Sequence, residues 1–162
     1  MRRHLPTALL ISAVLLGVAA PADADAAPAW ATVNVCDSAA SPNGVGVRAS
    51  LPGDGSNAQM AARLTVQWLN ARSGAWEPVE GVPSSPWLSA GSARQLSAQV
   101  GWTFEFDQPA PGTGFQIRGL AELEWRRRAT VVRRESQVTS GGLAGVDAGE
   151  PLGTSLASCI LR

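Results

Sequence analysis

The stretch Gln95–Trp125, QLSAQVGWTFEFDQPAPGTGFQIRGLAELEW, decides the fold. In its first half Leu96, Ala98, Val100, Trp102, Phe104 and Phe106 share one parity. Gln95, Ser97, Gln99, Gly101, Thr103 and Glu105 share the other, and none is a large apolar residue. Strict period-two alternation puts one face on a core and the other in water, the mark of an antiparallel strand. A Pro/Gly turn, Asp107–Gly114, interrupts the pattern. It resumes with Phe115, Ile117, Gly119, Ala121, Leu123 and Trp125 on one face, against Gln116, Arg118, Glu122 and Glu124, with Leu120 the single misfit. This pair defines a fold class. It does not define a molecular function.

Working outward, the same alternation recurs in short segments separated by turn signals. Trp30–Asp37 reads as a first strand, and Val45, Val47, Ala49 and Leu51 as the inward side of a second. The loop Pro52–Asn57 carries Asp54 and Asn57 but lacks the regular oxygen-ligand spacing of a calcium loop. Met60–Asn70 is a strand with Leu64, Val66 and Trp68 inward; Ala75–Val79 returns with Pro78, which belongs at an edge because it cannot donate to a ladder. The Pro/Ser-rich crossing Gly81–Gly91 holds a brief edge strand around Trp87. After Trp125, Arg126-Arg127-Arg128 caps a hairpin returning through Ala129–Ser140, which sets Glu122 opposite Arg133 or Arg134. Thr154–Leu161 closes the chain as a last strand.

The N-terminus reads as an address. Met1-Arg2-Arg3-His4 is a basic start, Leu5–Ala20 an apolar run too short to span a bilayer, and small-x-small sites place cleavage near Ala26. Residues 1–26 are therefore expected to be a signal peptide and 27–162 a single domain, secreted and without a membrane span. Excluding Arg2, Arg3, Asp23 and Asp25 leaves 11 Arg against 11 acidic residues, so no bulk field draws nucleic acid or membrane. Lysine is absent, which in so Ala- and Gly-rich a chain points to a GC-rich genome before any functional choice. Cys36 and Cys159, the two cysteines, stand near opposite ends of the mature chain. In an exported protein an even count favours one intrachain disulfide, and no CxxC spacing argues for a redox thiol.

About eight strands with this spacing predict an all-β antiparallel sandwich whose first and last strands are tied by that disulfide. Pro111-Gly112-Thr113-Gly114-Phe115-Gln116-Ile117-Arg118 resembles the P-G-T-x-Y-x-I/V-R stretch that opens the F strand of fibronectin type III domains. Val66-Gln67-Trp68 sits where the strand C aromatic of that immunoglobulin-like class is expected. Phe115 departs from the pattern by replacing the corner tyrosine. The cysteines depart too, since they tie the terminal strands rather than bracket Trp68. The whole chain also resembles the small secreted proteins of GC-rich bacteria, a likeness that implies no activity.

The chemical inventory narrows function by exclusion. His4 is the only histidine and lies in the expected leader, so the mature chain cannot assemble a Ser-His-Asp or Cys-His site, or a zinc site built on His and Cys. No cofactor-binding motif is present. The carboxylate pairs Glu122/Glu124 and Glu105/Asp107 are compatible with glycoside hydrolysis but equally with solvated strand faces. Arg126, Arg127, Arg128, Arg133 and Arg134 form the only basic cluster, balanced by Glu122, Glu124 and Glu135. Of the six tryptophans, Trp68, Trp102 and Trp125 share core parity. Trp76 and Trp87 flank turns, and with Arg72 they are the candidate contact residues. The expectation is a monomeric, non-enzymatic binding or structural module that recognises a protein or a cell-surface glycan. A small-molecule carrier or a carboxylate-only hydrolase is the alternative, and requires a pocket with convergent polar groups.

Overall fold

The computed structural model describes residues 27–162; the expected leader, with His4, lies outside the described residues. Nine strands follow one another: β1 (Trp30–Cys36), β2 (Gly44–Pro52), β3 (Gln59–Leu69), β4 (Trp76–Pro78), β5 (Leu88–Ser92), β6 (Ser97–Glu105), β7 (Phe115–Arg127), β8 (Thr130–Val138) and β9 (Cys159–Leu161). They form two antiparallel sheets, one ordered β1-β2-β6 and the other β4-β3-β7-β8, with β5 also on β3 and β9 also on β7. The fold is the all-β sandwich that the alternation predicts.

The core is made of the inward parities. Val45, Val47, Ala49 and Leu51 of β2 meet Met60, Ala62 and Leu64 of β3 and Ala121, Leu123 and Trp125 of β7, all with no accessible surface. At Gly119 the two sheets approach so closely that a Cβ would lie 2.7 Å from the Val47 methyls. Trp125 closes the far end, and its indole Nε1–H donates to the Pro52 carbonyl at 3.0 Å.

The decisive pair divides between the sheets. β6 pairs with β2, while β7 pairs with β3, β8 and β9, so the Pro/Gly turn is a crossover and not a hairpin. That explains why Trp102 is 42% exposed although its parity is right. It stands opposite Val47, on the same inner face, but β6 is the outer strand of a three-stranded sheet, where little packs over it. The expectation that Trp102 is buried is thus corrected, and Trp68, at the end of β3, is only half-buried. Leu96, read as inward, precedes β6 and is 94% exposed. β9 is shorter than the Thr154–Leu161 strand expected, because residues 154–158 turn along β1 instead.

That terminal segment covers the free edge of β1. Ser140 N–H donates to Ala31 O, Glu150 N–H to Asn34 O, and Leu156 and Val33 exchange both bonds at 2.9 Å. Arg48 pairs with Asp147 at 2.6 Å. An edge covered in this way offers no template to another chain. Cys36 and Cys159 are bonded, with Cα atoms 5.3 Å apart, joining β1 of one sheet to β9 of the other.

The charges around β7 also differ from expectation. Glu122 stands opposite Ser136 in β8 and bonds Arg63 of β3 at 2.7 Å, not Arg133 or Arg134. Glu124, read as solvated, has no accessible surface and accepts from Arg126 Nε at 2.6 Å and Arg134 Nε at 2.9 Å. Burial by itself would raise the Glu124 carboxyl; the hydrogen bonds from Arg134 and Arg126 outweigh it, and the carboxyl ends below its ordinary 4.5. A group depressed on folding stabilises above its unfolded value and loses that contribution as pH falls through its folded one. Glu124→Gln is therefore expected to lower the unfolding free energy by about 1–3 kcal/mol at pH 7. In urea titrations the gap from wild type should narrow as pH falls below about 4.5, the unfolded value. A gap that stays constant down to pH 3 contradicts the assignment.

Candidate functional site

The residues singled out as contacts fall on the outer face of the larger sheet and on its rim. Trp87 precedes β5 and is 36% exposed, with the guanidinium groups of Arg63 and Arg126 each 5.2 Å from its ring centre. Both arginines are committed in turn, Arg63 to Glu122 and Arg126 to Glu124. Trp76, half-buried, begins β4 opposite Leu69 and lies under Arg118 at 4.5 Å. Arg118 bonds Gln67 at 2.9 Å, and burial lowers its guanidinium from the ordinary value. Each such stack contributes about 0.5–1 kcal/mol at an exposed site. Arg72 is exposed on the β3–β4 turn, where its backbone N–H donates to Asn70 Oδ1 at 2.9 Å.

These residues do not converge. Trp87 stacks at the Arg63 level of β3 and Trp76 at the Gln67 level, roughly 13 Å apart at about 3.3 Å per residue. Their π faces already hold cations of the same chain.

The concave feature lies elsewhere, at the end of the sandwich where β7 begins. β3 and β7 bring Trp68 and Ile117 into register, and Glu77 of β4 stands opposite Trp68, so it too points inward between the sheets. The chain leaving β6 contributes Phe106 and Asp107, and β7 opens with Phe115, backed by Leu161 of β9. Because β6 and β7 belong to different sheets, the turn between them spans the gap and leaves it open. The result is a cleft of about 470 Å³ with Trp68, Phe106 and Phe115 on its walls and Glu77, Glu80 and Asp107 around it. Phe115 is 45% exposed there, too much for a settled core residue.

The carboxylates differ in commitment. Glu77 accepts from Asn70 Nδ2 at 2.9 Å and from Ser73 Oγ at 3.4 Å. Glu80 and Asp107 are exposed and make no side-chain hydrogen bond or ion pair among the described residues. Aromatic faces present negative quadrupole and the rim presents negative charge, so the cleft attracts cations with an apolar stem and repels phosphate and sulfate.

Sequence reasoning assigned Phe106 and Phe115 to the core and Asp107 to a strand face. The available signal was position: both phenylalanines flank the Pro/Gly turn, at strand ends, with an acidic residue adjacent. Nothing in the sequence brings Glu77 and Glu80 to the same place. A scan against models of known protein families, a search of curated proteins and a search of solved structures each returned no match.

Proposed function

We propose that this protein is a secreted, non-enzymatic binding module on an immunoglobulin- or fibronectin type III-like sandwich, taking its partner in the end cleft. The observation that carries this reading is the open cleft itself, walled by three aromatic side chains. The three-plus-four order of β1-β2-β6 and β4-β3-β7-β8, with the Pro111–Arg118 stretch opening β7, supports the sandwich class. The disulfide supports an oxidising compartment, and no helix among the described residues is long and apolar enough to cross a membrane. The partner is a protein or a cell-surface glycan.

Two other readings have an observation each. Exposure of Trp87 and Arg72 keeps the outer face, with Trp76, as a second contact surface. The grouping of Glu77, Glu80 and Asp107 keeps a small-molecule carrier or a carboxylate-only hydrolase in play.

Retention of labelled protein on a glycan array and on immobilised secreted proteins separates them. Phe115→Ala should weaken retention about thirtyfold, the effect of losing one anchor, with an unchanged melting temperature. Retention that survives Phe115→Ala but is lost in Trp76→Ala, Trp87→Ala moves the site to the outer face. Turnover of a bound glycoside, lost in Glu80→Gln, establishes the hydrolase.

A further inference from the structure

β7 carries opposite chemistry at its two ends. It begins in the cleft with Phe115 and ends at the β7–β8 hairpin, where Arg127, Arg128, Ala129 and Thr130 are all exposed. Its 13 residues separate those ends by roughly 40 Å at about 3.3 Å per residue. Within the arginine cluster, Arg126 and Arg134 are held by Glu124 and Arg133 by Glu135. Arg127 and Arg128 make no ion pair among the described residues, although Arg127 lies near enough to Asp54 for its charge to be felt there. Arg128 takes the left-handed conformation, φ 55°, at the apex of a two-residue turn. The tip is therefore a narrow, uncommitted pair of guanidinium groups.

At the other end stand the requirements of a guanidinium. A guanidinium stacks on aromatic faces and donates side-on to carboxylates, and Trp68, Phe115, Glu80 and Asp107 provide both kinds of partner. A volume of about 470 Å³ lies within the range that houses small ligands. One molecule cannot join its own tip to its own cleft across the length of β7. We infer that the cleft receives the Arg127-Arg128 tip of a second copy of this chain, so that molecules associate head to tail. The inference rests on the reading of the cleft as the binding site, and it replaces the monomer expected from sequence.

A heterologous contact that does not close on itself propagates. Each molecule keeps one free tip and one free cleft, and the chain grows with concentration. The contacts are solvent-facing and ionic, so they weaken as the Debye length falls to about 8 Å at physiological salt.

Sedimentation velocity in 20 mM buffer, from micromolar to millimolar protein, tests this. Wild type is expected to grow past the dimer, and to revert towards monomer at 0.5 M NaCl. Arg127→Ala, Arg128→Ala (tip variant) and Glu80→Gln, Asp107→Asn (cleft variant) should each weaken association at least about thirtyfold, the loss of a hot-spot anchor. Both sets are exposed, and an unchanged melting temperature confirms that each folds. Mixed in equal amounts, the two variants should form a 1:1 dimer that grows no further, because the tip variant keeps its cleft and the cleft variant its tip. Wild type that stays monomeric at millimolar concentration, stops at a dimer, or associates equally in both variants overturns the inference. A titration of monomeric protein with arginine ethyl ester, followed by tryptophan fluorescence, then separates the two readings. Saturable quenching lost in the cleft variant leaves the cleft as a cation site with another partner; no quenching removes the cation reading as well.

Discussion

A Trp125→Ala protein is expected to unfold with about 3–5 kcal/mol less free energy than wild type. Trp125 has no accessible surface, and truncation leaves a void between β7 and the end of β2 that the surrounding backbone cannot collapse to fill. It also orphans the Pro52 carbonyl, which accepts the indole N–H, and removes the ring on which Arg133 rests at 4.1 Å. Urea unfolding reads the loss as a lower midpoint at an unchanged slope. Trp102→Ala is the paired control. With 42% of its surface exposed and no sealed void left behind, Trp102→Ala should cost distinctly less. Equal losses at the two positions would mean that β6 is covered in solution by something absent from this fold.

Removing the disulfide is expected to have the other large effect. Cys36 and Cys159 close a loop of 123 residues, and the chain-entropy model assigns about 4.7 kcal/mol to a loop of 100, with native disulfides in small secreted domains contributing about 2–5. β9 has only three residues and three register partners on β7, with Leu161 buried in the core, so the covalent bond reinforces a short ladder. Cys36→Ser, Cys159→Ser should therefore lower the melting temperature strongly, and 5 mM dithiothreitol should lower that of wild type towards the variant without affecting the variant itself. Coincident melting curves for all four samples contradict the assignment. Because Leu161 of β9 backs Phe115, the same variant should loosen the cleft wall before the core.

Period-two alternation carried the strand inventory far. Each segment read as a strand contains one, down to the short edge strand beside Trp87, and the two cysteines expected to pair are bonded. Alternation reports a face, however, and not the position of a strand in its sheet. Trp102 and Val47 show the difference: same face, opposite partners in register, one exposed and one sealed. It is equally silent on which strands pair: β6 and β7 follow one another in sequence and belong to different sheets.

The cleft was invisible for the same reason. Its walls come from β3, β4, the end of β6, β7 and β9, and only the sheet assignment brings Glu77, Glu80, Phe106 and Phe115 together. Charge pairing failed at closer range. The turn falls at Arg128-Ala129, one residue later than expected, and the bulge between Trp125 and Arg126 shifts the β7–β8 register further, so Glu124 and not Glu122 meets Arg134. That shift converts a carboxylate expected in water into the buried centre of three charges.

The disulfide also decides how the domain carries load. Tension entering before β1 and leaving after β9 passes from Cys36 directly to Cys159, and the whole chain between them lies outside the line of force. Only the chain outside the two sulfurs can extend. Reduction would release a hidden length of roughly 400 Å, at about 3.3–3.6 Å per residue. In an oxidising surrounding the sandwich thus behaves as an inextensible link, and its two sheets need not resist being pulled apart for the molecule to hold.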